Sequence, residues 1–378
     1  MRLAIISHTE HFKDTEGNIV GWGPTVREIN YLANNFEHVF HVACFHNTSA
    51  PPSATAYTAK NVEFVALPPF GGKSVYEKLS VLTTAPQIIK IVSEVIDKVD
   101  AVQLRMPTGM GNYLLPYLSF YKPNIALWVK YAGNWADKNA PLGYKFQKWW
   151  LKKNFLHCPV TINGKWSHQP AHCQSFENPC IEELEQVVGM DLVTNKKYNI
   201  PLTGIFVGRL EEWKGVDRII QSISILYNKG IKTFHFVGGG DKLDYYSELV
   251  QRMGSPMKII FHDYLKRDDI SRLFIQSHII LLPSDSEGFP KVIAEAANYG
   301  CVPIVSNISS IPHYINDGNG FLWDMNDLSF GEYISNLDFS EHNLKAKAQN
   351  VFEMSKLFSF KKYNASILKL LKDKLNKF

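Results

Sequence analysis

Two glutamates, Glu287 and Glu295, lie on either side of a Gly288-Phe289-Pro290 turn. The apolar run at 279–283 before the turn has the length of a buried strand, and the apolar spacing at 292–297 after it predicts a helix. The first turn of a helix offers unpaired N–H groups and the positive end of the helix dipole, which together favour an anionic ligand. We therefore expect this segment to bind an anion and to place the two carboxylates at different heights along the helix axis.

The spacing of the two glutamates argues against a paired-carboxylate glycosidase. Eight residues of helix correspond to roughly 12 Å along the axis, whereas such enzymes hold their carboxyl groups about 5 Å or roughly 6.5–9.5 Å apart. Two contacts to one elongated ligand, such as a nucleotide sugar, fit the spacing better. The alternative is a solvated helix with ordinary surface glutamates.

Two cations, Arg209 and Lys214, share one short loop after the apolar segment 204–207. An arginine can bind a diphosphate bidentately and a lysine can bind it as a point charge, although both could be plain surface residues. The apolar segment 233–237 runs into Gly238-Gly239-Gly240, where the backbone could approach a ligand closely, and 258–262 predicts a third strand. A glycine-rich turn alone is a weak signal, and its spacing does not match a dinucleotide fingerprint.

These motifs occur in a fixed order that resembles a known family. They comprise Val207-Gly208-Arg209-Leu210 with Lys214-Gly215, the triple glycine, Ser286-Glu287-Gly288-Phe289-Pro290 with Glu295, and Ile315–Leu322. Together they resemble the C-terminal domain of a retaining GT-B glycosyltransferase of the group 1 type, also called family 4. The resemblance is strong over residues 200–325 and weaker before it, where Phe176-Glu177-Asn178-Pro179 is similar to the segment that closes that domain.

The resemblance implies a role for each matched residue. Arg209 and Lys214 would bind the donor diphosphate and offset the charge on the leaving nucleotide, and Glu287 would contact the hydroxyls of the donor sugar. These three are the expected catalytic residues, and Glu295 would accept hydrogen bonds from the ribose. The remaining expected donor contacts are Gly239, Tyr264 (in the segment 263–265 that would meet the base), Gly288, Phe289 and Pro290. The resemblance implies no bound cofactor and no metal, and the sequence has no Asp-x-Asp motif.

The N-terminal half alternates predicted strands and helices like a second Rossmann-like domain. Residues 1–7 predict its first strand, 8–23 predict a long polar loop, and Thr25 with Glu28 has capping-box spacing. Gly21 and Gly23 would contact the donor phosphates or the acceptor, unless the loop is simply a mobile surface loop.

Two further residues of this half are candidates for the acceptor side of the site. Arg105, at the end of a predicted strand, would either meet an anionic substrate group or pair with a neighbouring carboxylate. Family members often carry a histidine near the reacting sugar, but the segment 130–135 has none. Asn134 would replace its hydrogen bonds, or His8 would approach from another loop.

Composition and charge limit the possible locations and partners. The 378-residue length suggests two domains, the net charge of +4 is small, and no basic face points to nucleic acid. No apolar run is long enough to cross a membrane. Five cysteines without a ligand or disulfide pattern indicate reduced thiols in a cytoplasmic protein.

One segment carries a possible link to the membrane. Residues 144–155 combine four lysines with five aromatic residues, which fits either peripheral contact with the inner face of a membrane or a core helix with lysines on its wet side. The basic C-terminal segment is expected to be the helix that crosses back to the first domain.

The sequence therefore predicts an α/β protein of GT-B fold, with two Rossmann-like domains facing each other across a cleft. The expected ranges are 1–190 for the acceptor domain, 198–355 for the nucleotide-sugar domain and 356–378 for the crossing helix. The expected activity is retaining, metal-independent transfer of a sugar from a nucleotide diphosphate-sugar to a saccharide or lipid-linked hydroxyl acceptor, in polysaccharide or glycolipid assembly. A nucleotide-sugar hydrolase or epimerase and a non-catalytic nucleotide-binding protein are the alternatives.

Overall fold

A computed structural model describes residues 1–72, 74–121 and 125–375 of the chain, without the side chains of residues 75, 76 and 373–375. The chain forms two compact units. Unit 1 comprises Met1–Asn178 and Phe360–Phe378, and unit 2 comprises Pro179–Ser359.

Unit 1 contains ten strands and five helices before the chain enters unit 2, counted over its described residues. The strands are β1 (Arg2–Ile6), β2 (His11–Lys13), β3 (Ile19–Trp22), β4 (His38–Ser49), β5 (Ala54–Ala56), β6 (Val62–Leu67), β7 (Ala101–Met106), β8 (Ala126–Tyr131), β9 (Val160–Ile162) and β10 (Cys173–Ser175). The helices are α1 (Gly23–Ala33), α2 (Val75–Thr83), α3 (Ala85–Ile96), α4 (Gly111–Tyr121) and α5 (Leu142–Lys152).

The centre of unit 1 is a parallel sheet in which β1 lies between β4 and β7, with β6 beyond β4 and β8, β9 and β10 beyond β7. This arrangement confirms the expected Rossmann-like first domain, because the chain starts in the middle, builds outward in one direction and then in the other. Its strands are apolar runs buried on both faces, as in β1, where Leu3 to Ile6 are fully buried.

The segment predicted as a polar loop at 8–23 contains a hairpin instead. Strands β2 and β3 pair antiparallel, β2 also joins the end of β4, and β3 pairs with β5. The expected capping box is also wrong, because α1 begins at Gly23 and the side chain of Glu28 is buried within the domain.

Unit 2 has six strands and eight helices. The strands are β11 (Leu202–Val207), β12 (Ile231–Val237), β13 (Lys258–His262), β14 (Ile279–Leu282), β15 (Val302–Ser306) and β16 (Phe321–Trp323). The helices are α6 (Glu183–Asn195), α7 (Val216–Gln221), α8 (Ile223–Asn228), α9 (Leu243–Met253), α10 (Arg267–Gln276), α11 (Lys291–Asn298), α12 (Phe330–Asn336) and α13 (Glu341–Ser355).

All six strands of unit 2 are parallel, in the order β13-β12-β11-β14-β15-β16. In chain order this is the 3-2-1-4-5-6 sequence of a doubly wound sheet. The order reverses between β11 and β14, so the connections leave these two neighbours on opposite faces of the sheet. A crevice at their carboxyl ends is the general ligand site of such sheets.

The boundary between the units lies at Asn178 rather than at residue 190. Helix α6 belongs to unit 2 because it packs tightly against α11. A Cβ on Gly189 would lie 2.1 Å from the carbonyl oxygen of Asn298, and the Asn298 amide donates to the Glu185 carbonyl at 2.8 Å. The Phe176–Pro179 motif therefore marks the boundary better than the predicted ranges do.

The C-terminal helix, α14 (Phe360–Leu375), is the part of the predicted crossing helix that the structure describes, and residues 376–378 lie outside the described residues. It begins at residue 360, after a short 3-10 turn at Lys356–Phe358 that belongs to unit 2. Tyr363, Ile367 and Leu371 pack in one buried cluster with Leu3 and Trp128 of the first sheet. The expected return of the chain to the first domain is confirmed.

Length and apolar composition decide whether a helix could cross a bilayer. Among the described residues no single helix has the necessary length and apolar composition, although one bent pair, Glu77–Thr83 with Ala85–Ile96, meets the criteria of length and composition at an angle of 51°.

Candidate nucleotide-sugar site

The candidate site lies in unit 2, at the carboxyl ends of β11 and β14. The loop 208–215 follows β11, and the loop 283–290 leads from β14 to α11. Because β11 and β14 are hydrogen-bonded neighbours at the point where the strand order reverses, the two loops are brought together by the topology of the sheet.

Gly215 allows the two loops to touch. Its φ is +80°, and a Cβ at this position would lie 2.1 Å from the carbonyl oxygen of Pro283. The left-handed conformation and the close approach both require glycine. The Asp285 N–H also donates to the Trp213 carbonyl at 2.8 Å, so the backbone of one loop is fixed on the other.

Lys214 and Glu287 form an ion pair across this junction. The Lys214 Nζ lies 2.5 Å from the Glu287 Oε1, and the two side chains are 17% and 11% exposed. The Ser284 hydroxyl donates to the same carboxylate oxygen at 3.2 Å, and the ammonium group also lies over the Trp213 ring. The two predicted catalytic side chains are thus in contact, although 73 positions separate them in the sequence.

Arg209 is held more loosely in the same loop. Its Nε lies 2.7 Å from the Glu211 carboxylate, and its side chain is 61% exposed. The indole N–H of Trp213 donates to the same carboxylate. The guanidinium group can therefore move toward an anion without breaking a buried contact.

Arg218 strengthens the junction and was not among the predicted site residues. It donates to the Pro283 carbonyl at 2.8 Å and forms an ion pair with Asp285 at 2.6 Å. Its guanidinium also lies over the Trp323 ring. No motif marks this arginine, because its partners are a backbone carbonyl and a side chain far away in the sequence.

The Gly288-Phe289-Pro290 turn exposes backbone and buries its side chain. The Phe289 ring stacks on Phe358 with ring centroids 4.5 Å apart, and the Ser310 hydroxyl donates to the Gly288 carbonyl. Pro290 is the residue just before α11 rather than its first helical residue. The N–H groups of Glu287, Gly288 and Phe289 donate to no other described residue, which leaves backbone donors for an anion in the loop before α11.

Glu295 lies on α11 in a second ion-pair network. Arg267 donates to the Glu295 carboxylate at 2.7 Å, to both oxygens of Glu185 at 2.8 Å, and to the Cys180 carbonyl at 2.7 Å. Burial opposes the positive charge, but the two carboxylates outweigh it and raise the pKa of Arg267 above its ordinary value. Arg267 thus fixes the orientation of Glu295, the residue predicted to bind the ribose. No motif in the sequence indicated Arg267.

Two residues of the triple glycine lie against other parts of the protein. A Cβ on Gly238, where φ is +129°, would lie 2.1 Å from the Gly208 carbonyl oxygen. A Cβ on Gly239 would lie 2.4 Å from the Tyr264 ring. Gly239 and Tyr264, both predicted donor contacts, therefore lie against each other beside the loop 208–215, and the Tyr264 side chain is exposed.

The two predicted glycines of unit 1 are also explained by close packing. A Cβ on Gly21 would lie 2.4 Å from the His11 ring, and one on Gly23 would lie 2.9 Å from the Ser53 carbonyl oxygen. Trp22, between them, is exposed. Their predicted contact with a substrate stays a prediction.

Arg105 follows the second of its two predicted alternatives. It pairs with the buried Glu28 carboxylate at 2.8 Å and donates to Gln103, and Lys130 binds the same Glu28 oxygen at 2.5 Å. The guanidinium is 11% exposed, and it shares the single Glu28 carboxylate with Lys130, so these three side chains keep one net positive charge. Strand β7 continues one residue beyond it, to Met106.

Asn134 orders its own loop, because its side-chain oxygen accepts from the Ala136 N–H at 3.0 Å. His8, the other proposed replacement for the usual histidine, is exposed just after β1. Contact of either residue with a substrate stays a prediction.

A buried polar network in unit 1 was not predicted. The Tyr57 hydroxyl lies 2.7 Å from the His11 Nε2 and 2.5 Å from the His41 Nδ1, and the Ser7 hydroxyl lies 2.8 Å from the His41 Nε2. Burial lowers the pKa of His11 to about 4 and holds the pKa of His41 well below its ordinary value. Both rings are therefore neutral near pH 7.

The potential metal ligands of the chain are dispersed. Across the residues that the structure describes, no group of three or more His, Cys, Asp or Glu side chains is arranged to hold a metal ion. All five cysteines are buried and free, in agreement with the reduced thiols expected from the sequence.

Known proteins resemble the chain at two levels. Residues 194–350 match the family Glycosyl transferases group 1. The O-antigen biosynthesis glycosyltransferase WclY of Escherichia coli is 32% identical over 118 residues, which cover 30% of this chain and 31% of that protein. The chain spans less than half the length of the curated relatives it matches.

Solved structures match over the whole chain. Sucrose-phosphate synthase from Thermosynechococcus elongatus has a TM-score of 0.70 at 15% identity, covering 100% of both chains. Anabaena HepE, in complex with UDP, has a TM-score of 0.67 at 15% identity, covering 99% of this chain and 100% of that one. Residues 194–350 are therefore similar to the group 1 glycosyl transferases, and the chain has the GT-B fold.

Proposed function

We propose that the chain is a retaining glycosyltransferase of the family 4 type. It moves a sugar from a nucleoside diphosphate donor to a hydroxyl group of a saccharide or lipid-linked acceptor. The observation that carries this proposal is the Lys214–Glu287 pair, which lies where the strand order of the unit 2 sheet reverses.

In this proposal each part of the site binds one part of the donor. Lys214 and Arg209 bind the diphosphate, together with the backbone N–H groups of the loop before α11. The Glu287 carboxylate gives up part of its contact with Lys214 and accepts hydrogen bonds from the hydroxyl groups of the donor sugar. The other donor contacts are the backbone of the Gly288–Pro290 turn, Glu295 for the ribose, and Gly239 with Tyr264 near the base.

The proposed chemistry is a displacement at the anomeric carbon of the donor sugar. The bond from that carbon to the β-phosphate oxygen breaks, a bond to the acceptor oxygen forms on the same face, and the acceptor proton passes to the leaving phosphate. Negative charge grows on the diphosphate as it departs, so two positioned cations lower the barrier most directly. We propose that these side chains serve in place of a divalent metal.

Unit 1 supplies the proposed acceptor residues, and one relative and the cysteines bear on the biological process and location. Gly21, Gly23, Arg105 and Asn134 of unit 1 stay the predicted acceptor residues, with Arg105 already bound to the buried Glu28 carboxylate. The role of WclY in O-antigen biosynthesis supports assembly of a polysaccharide or glycolipid. The free buried thiols support a reducing, cytoplasmic location.

A turnover assay tests the proposal. The purified protein is incubated with UDP-, GDP- and ADP-sugars and a mixed saccharide and lipid acceptor extract, with EDTA present, while release of nucleoside diphosphate and the glycosylated product are measured. We expect one donor to be consumed with transfer to acceptor, and we expect Lys214→Ala and Glu287→Ala to abolish turnover without unfolding the protein. Lys345→Ala, an exposed lysine on α13, is the matched control and keeps full activity.

The same assay separates the alternatives. Release of free sugar without acceptor would identify a hydrolase, and a changed donor would identify an epimerase. Binding of nucleotide without any turnover would identify a non-catalytic protein. Full turnover in the folded Lys214→Ala or Glu287→Ala variant would remove that residue from the catalytic assignment.

A further inference from the structure

Unit 1 presents an aromatic patch on two neighbouring helices. The patch comprises Phe120 of α4, Phe146, Trp149 and Trp150 of α5, and Phe155 just after α5. Their ring centroids are linked by distances from 4.9 to 6.3 Å. The cluster is therefore continuous.

Much of this aromatic surface faces solvent. Phe120 is 72% exposed, Trp149 is 48% exposed and Phe155 is 42% exposed. At the other end of α5, Leu142 is also exposed. A contiguous exposed patch of large apolar side chains on a folded domain marks an interaction surface. Gln147 and Leu151 of α5 are buried, and Trp150 packs against the same core, so the inner side of α5 fits the core-helix alternative while its outer side is open to a partner.

The patch is held in place before any partner arrives. The buried Gln147 side chain donates to the Thr108 carbonyl and to Asn112, which fixes α5 against the start of α4. The Trp150 indole donates to Ser119 at 3.0 Å. The exposed rings therefore need little ordering on binding.

The charged side chains on α4 and α5 are all lysines, with Asp137 as an acidic neighbour of Lys148. Lys145 and Lys152 share with Leu142 and Trp149 one stripe at helical spacing, and Lys153 follows at the end of the helix, with all three lysines exposed. Neither 111–121 nor 142–155 contains a single Asp or Glu. A partner that covers this face must accept aromatic side chains and also carry negative charge.

We propose that the aromatic patch and its lysines bind an anionic lipid bilayer at the level of the headgroups. Aromatic rings with polar edges are favoured at that depth, and lysines next to them are attracted by the surface potential of anionic lipids. This inference extends the contact predicted for 144–155 to α4, and it does not depend on the proposed transfer reaction because lipid binding needs no turnover.

Sedimentation with vesicles tests the surface. The full chain is mixed with vesicles of phosphatidylglycerol and phosphatidylcholine in equal parts, or of phosphatidylcholine alone, at about 0.05 M and about 1 M NaCl. We expect retention by the anionic vesicles at low salt, weaker retention at high salt, and little retention by the neutral vesicles. Failure of anionic vesicles to retain the protein, or equal retention by neutral ones, would overturn the proposal.

Variants then locate the contact. Lys145→Gln with Lys153→Gln is expected to weaken partitioning about 25-fold, since each lysine near such a surface contributes about fivefold. Trp149→Ala removes a half-exposed ring and is expected to cost on the order of tenfold or more. These side chains are exposed, so the thermal unfolding temperature should stay close to that of the wild type.

The matched control is an exposed apolar face without the positive charge. Leu184 and Val187 of α6 in unit 2 are 78% and 60% exposed, and Glu182 and Glu183 are their sequence neighbours. The double variant Leu184→Ala with Val187→Ala should bind vesicles like the wild type. If it loses binding while the Trp149 and lysine variants keep it, the contact lies elsewhere and the assignment to α4 and α5 is wrong.

Discussion

The Lys214–Glu287 pair gives a prediction about the stability of the site. Lys214→Ala leaves a carboxylate that is 11% exposed, with the Ser284 hydroxyl as its other side-chain partner among the described residues. Glu287→Ala leaves an ammonium group that still contacts the Trp213 ring and can reach water along its flexible stem. We therefore expect the lysine variant to be the less stable of the two.

The magnitude follows from the burial of the pair. Removing one partner of a fully buried pair costs about 3–5 kcal/mol, and the partial exposure here reduces the loss to about 2–3 kcal/mol for Lys214→Ala. For Glu287→Ala the expected loss is about 1–2 kcal/mol. The double variant leaves neither charge stranded, so its loss should fall below the sum of the two by a coupling energy of about 1–2 kcal/mol.

Urea unfolding followed by circular dichroism measures this double-mutant cycle. The control cycle uses Arg252 and Glu248, an exposed pair at 2.8 Å on α9, for which we expect about 0.5 kcal/mol or less. A coupling at the Lys214–Glu287 pair no larger than that of the control would refute the claim that the fold holds the two charges together.

Three further changes test other parts of the structure. Gly215→Ala should lower the free energy of unfolding by about 2 kcal/mol or more, because the new Cβ clashes at a residue whose φ is already positive. Gly254→Ala, with φ +59° and open space around it, should cost about 1 kcal/mol. Thermal unfolding compares the two variants. The neutral, buried His11 has a folded pKa of about 4, below the unfolded value of about 6.5, so its contribution is complete above pH 6.5 and falls as the pH drops toward 4. The stability lost between pH 7.5 and pH 5 that is due to His11 should be about 1–2 kcal/mol. The difference between the losses of the wild type and of His11→Gln measures it, because the pKa values of His235 and His278 are also lowered to about 4 and contribute in both proteins. Arg267→Met strands two carboxylates and should cost about 2–3 kcal/mol, well above the exposed control Arg272→Met in the same urea assay.

The sequence was informative wherever one local pattern decides the structure. The predicted strands at 204–207, 233–237, 258–262 and 279–283 became the four strands around the site. The runs at 204–207 and 279–283 are apolar because β11 and β14 lie inside the parallel sheet and are covered on both faces, whereas β13 at the edge is only partly buried. The loops after those strands then had to meet at one edge of the sheet. Contact between Lys214 and the Glu287 loop follows from that topology.

Features that depend on distant partners could not be read in advance. Arg267 and Arg218 are single arginines on helices, and only the folded sheet shows that they bind Glu295 and the Pro283 carbonyl. The β2–β3 hairpin was missed because its short strands depend on pairing with β4 and β5 more than on their own apolar content. Local periodicity carries no information about such contacts.

The glycines show a different limit. The Gly238–Gly240 turn was expected to bring backbone close to a ligand, but Gly238 is already required by the Gly208 carbonyl, and Gly239 lies against the exposed Tyr264 ring. A glycine in the sequence indicates that something approaches closely, without identifying what approaches.

The central claim is that the junction of the two loops in unit 2 binds a nucleoside diphosphate. Isothermal titration of the full chain with UDP, GDP, ADP, TDP, CMP and NAD, repeated with Lys214→Ala, tests it directly. The account predicts that one nucleoside diphosphate binds and that its affinity falls by about tenfold or more in the variant, as expected when a charge-assisted hydrogen bond to a phosphate is removed. Binding of NAD alone, binding of no diphosphate, or the same affinity in Lys214→Ala would contradict it.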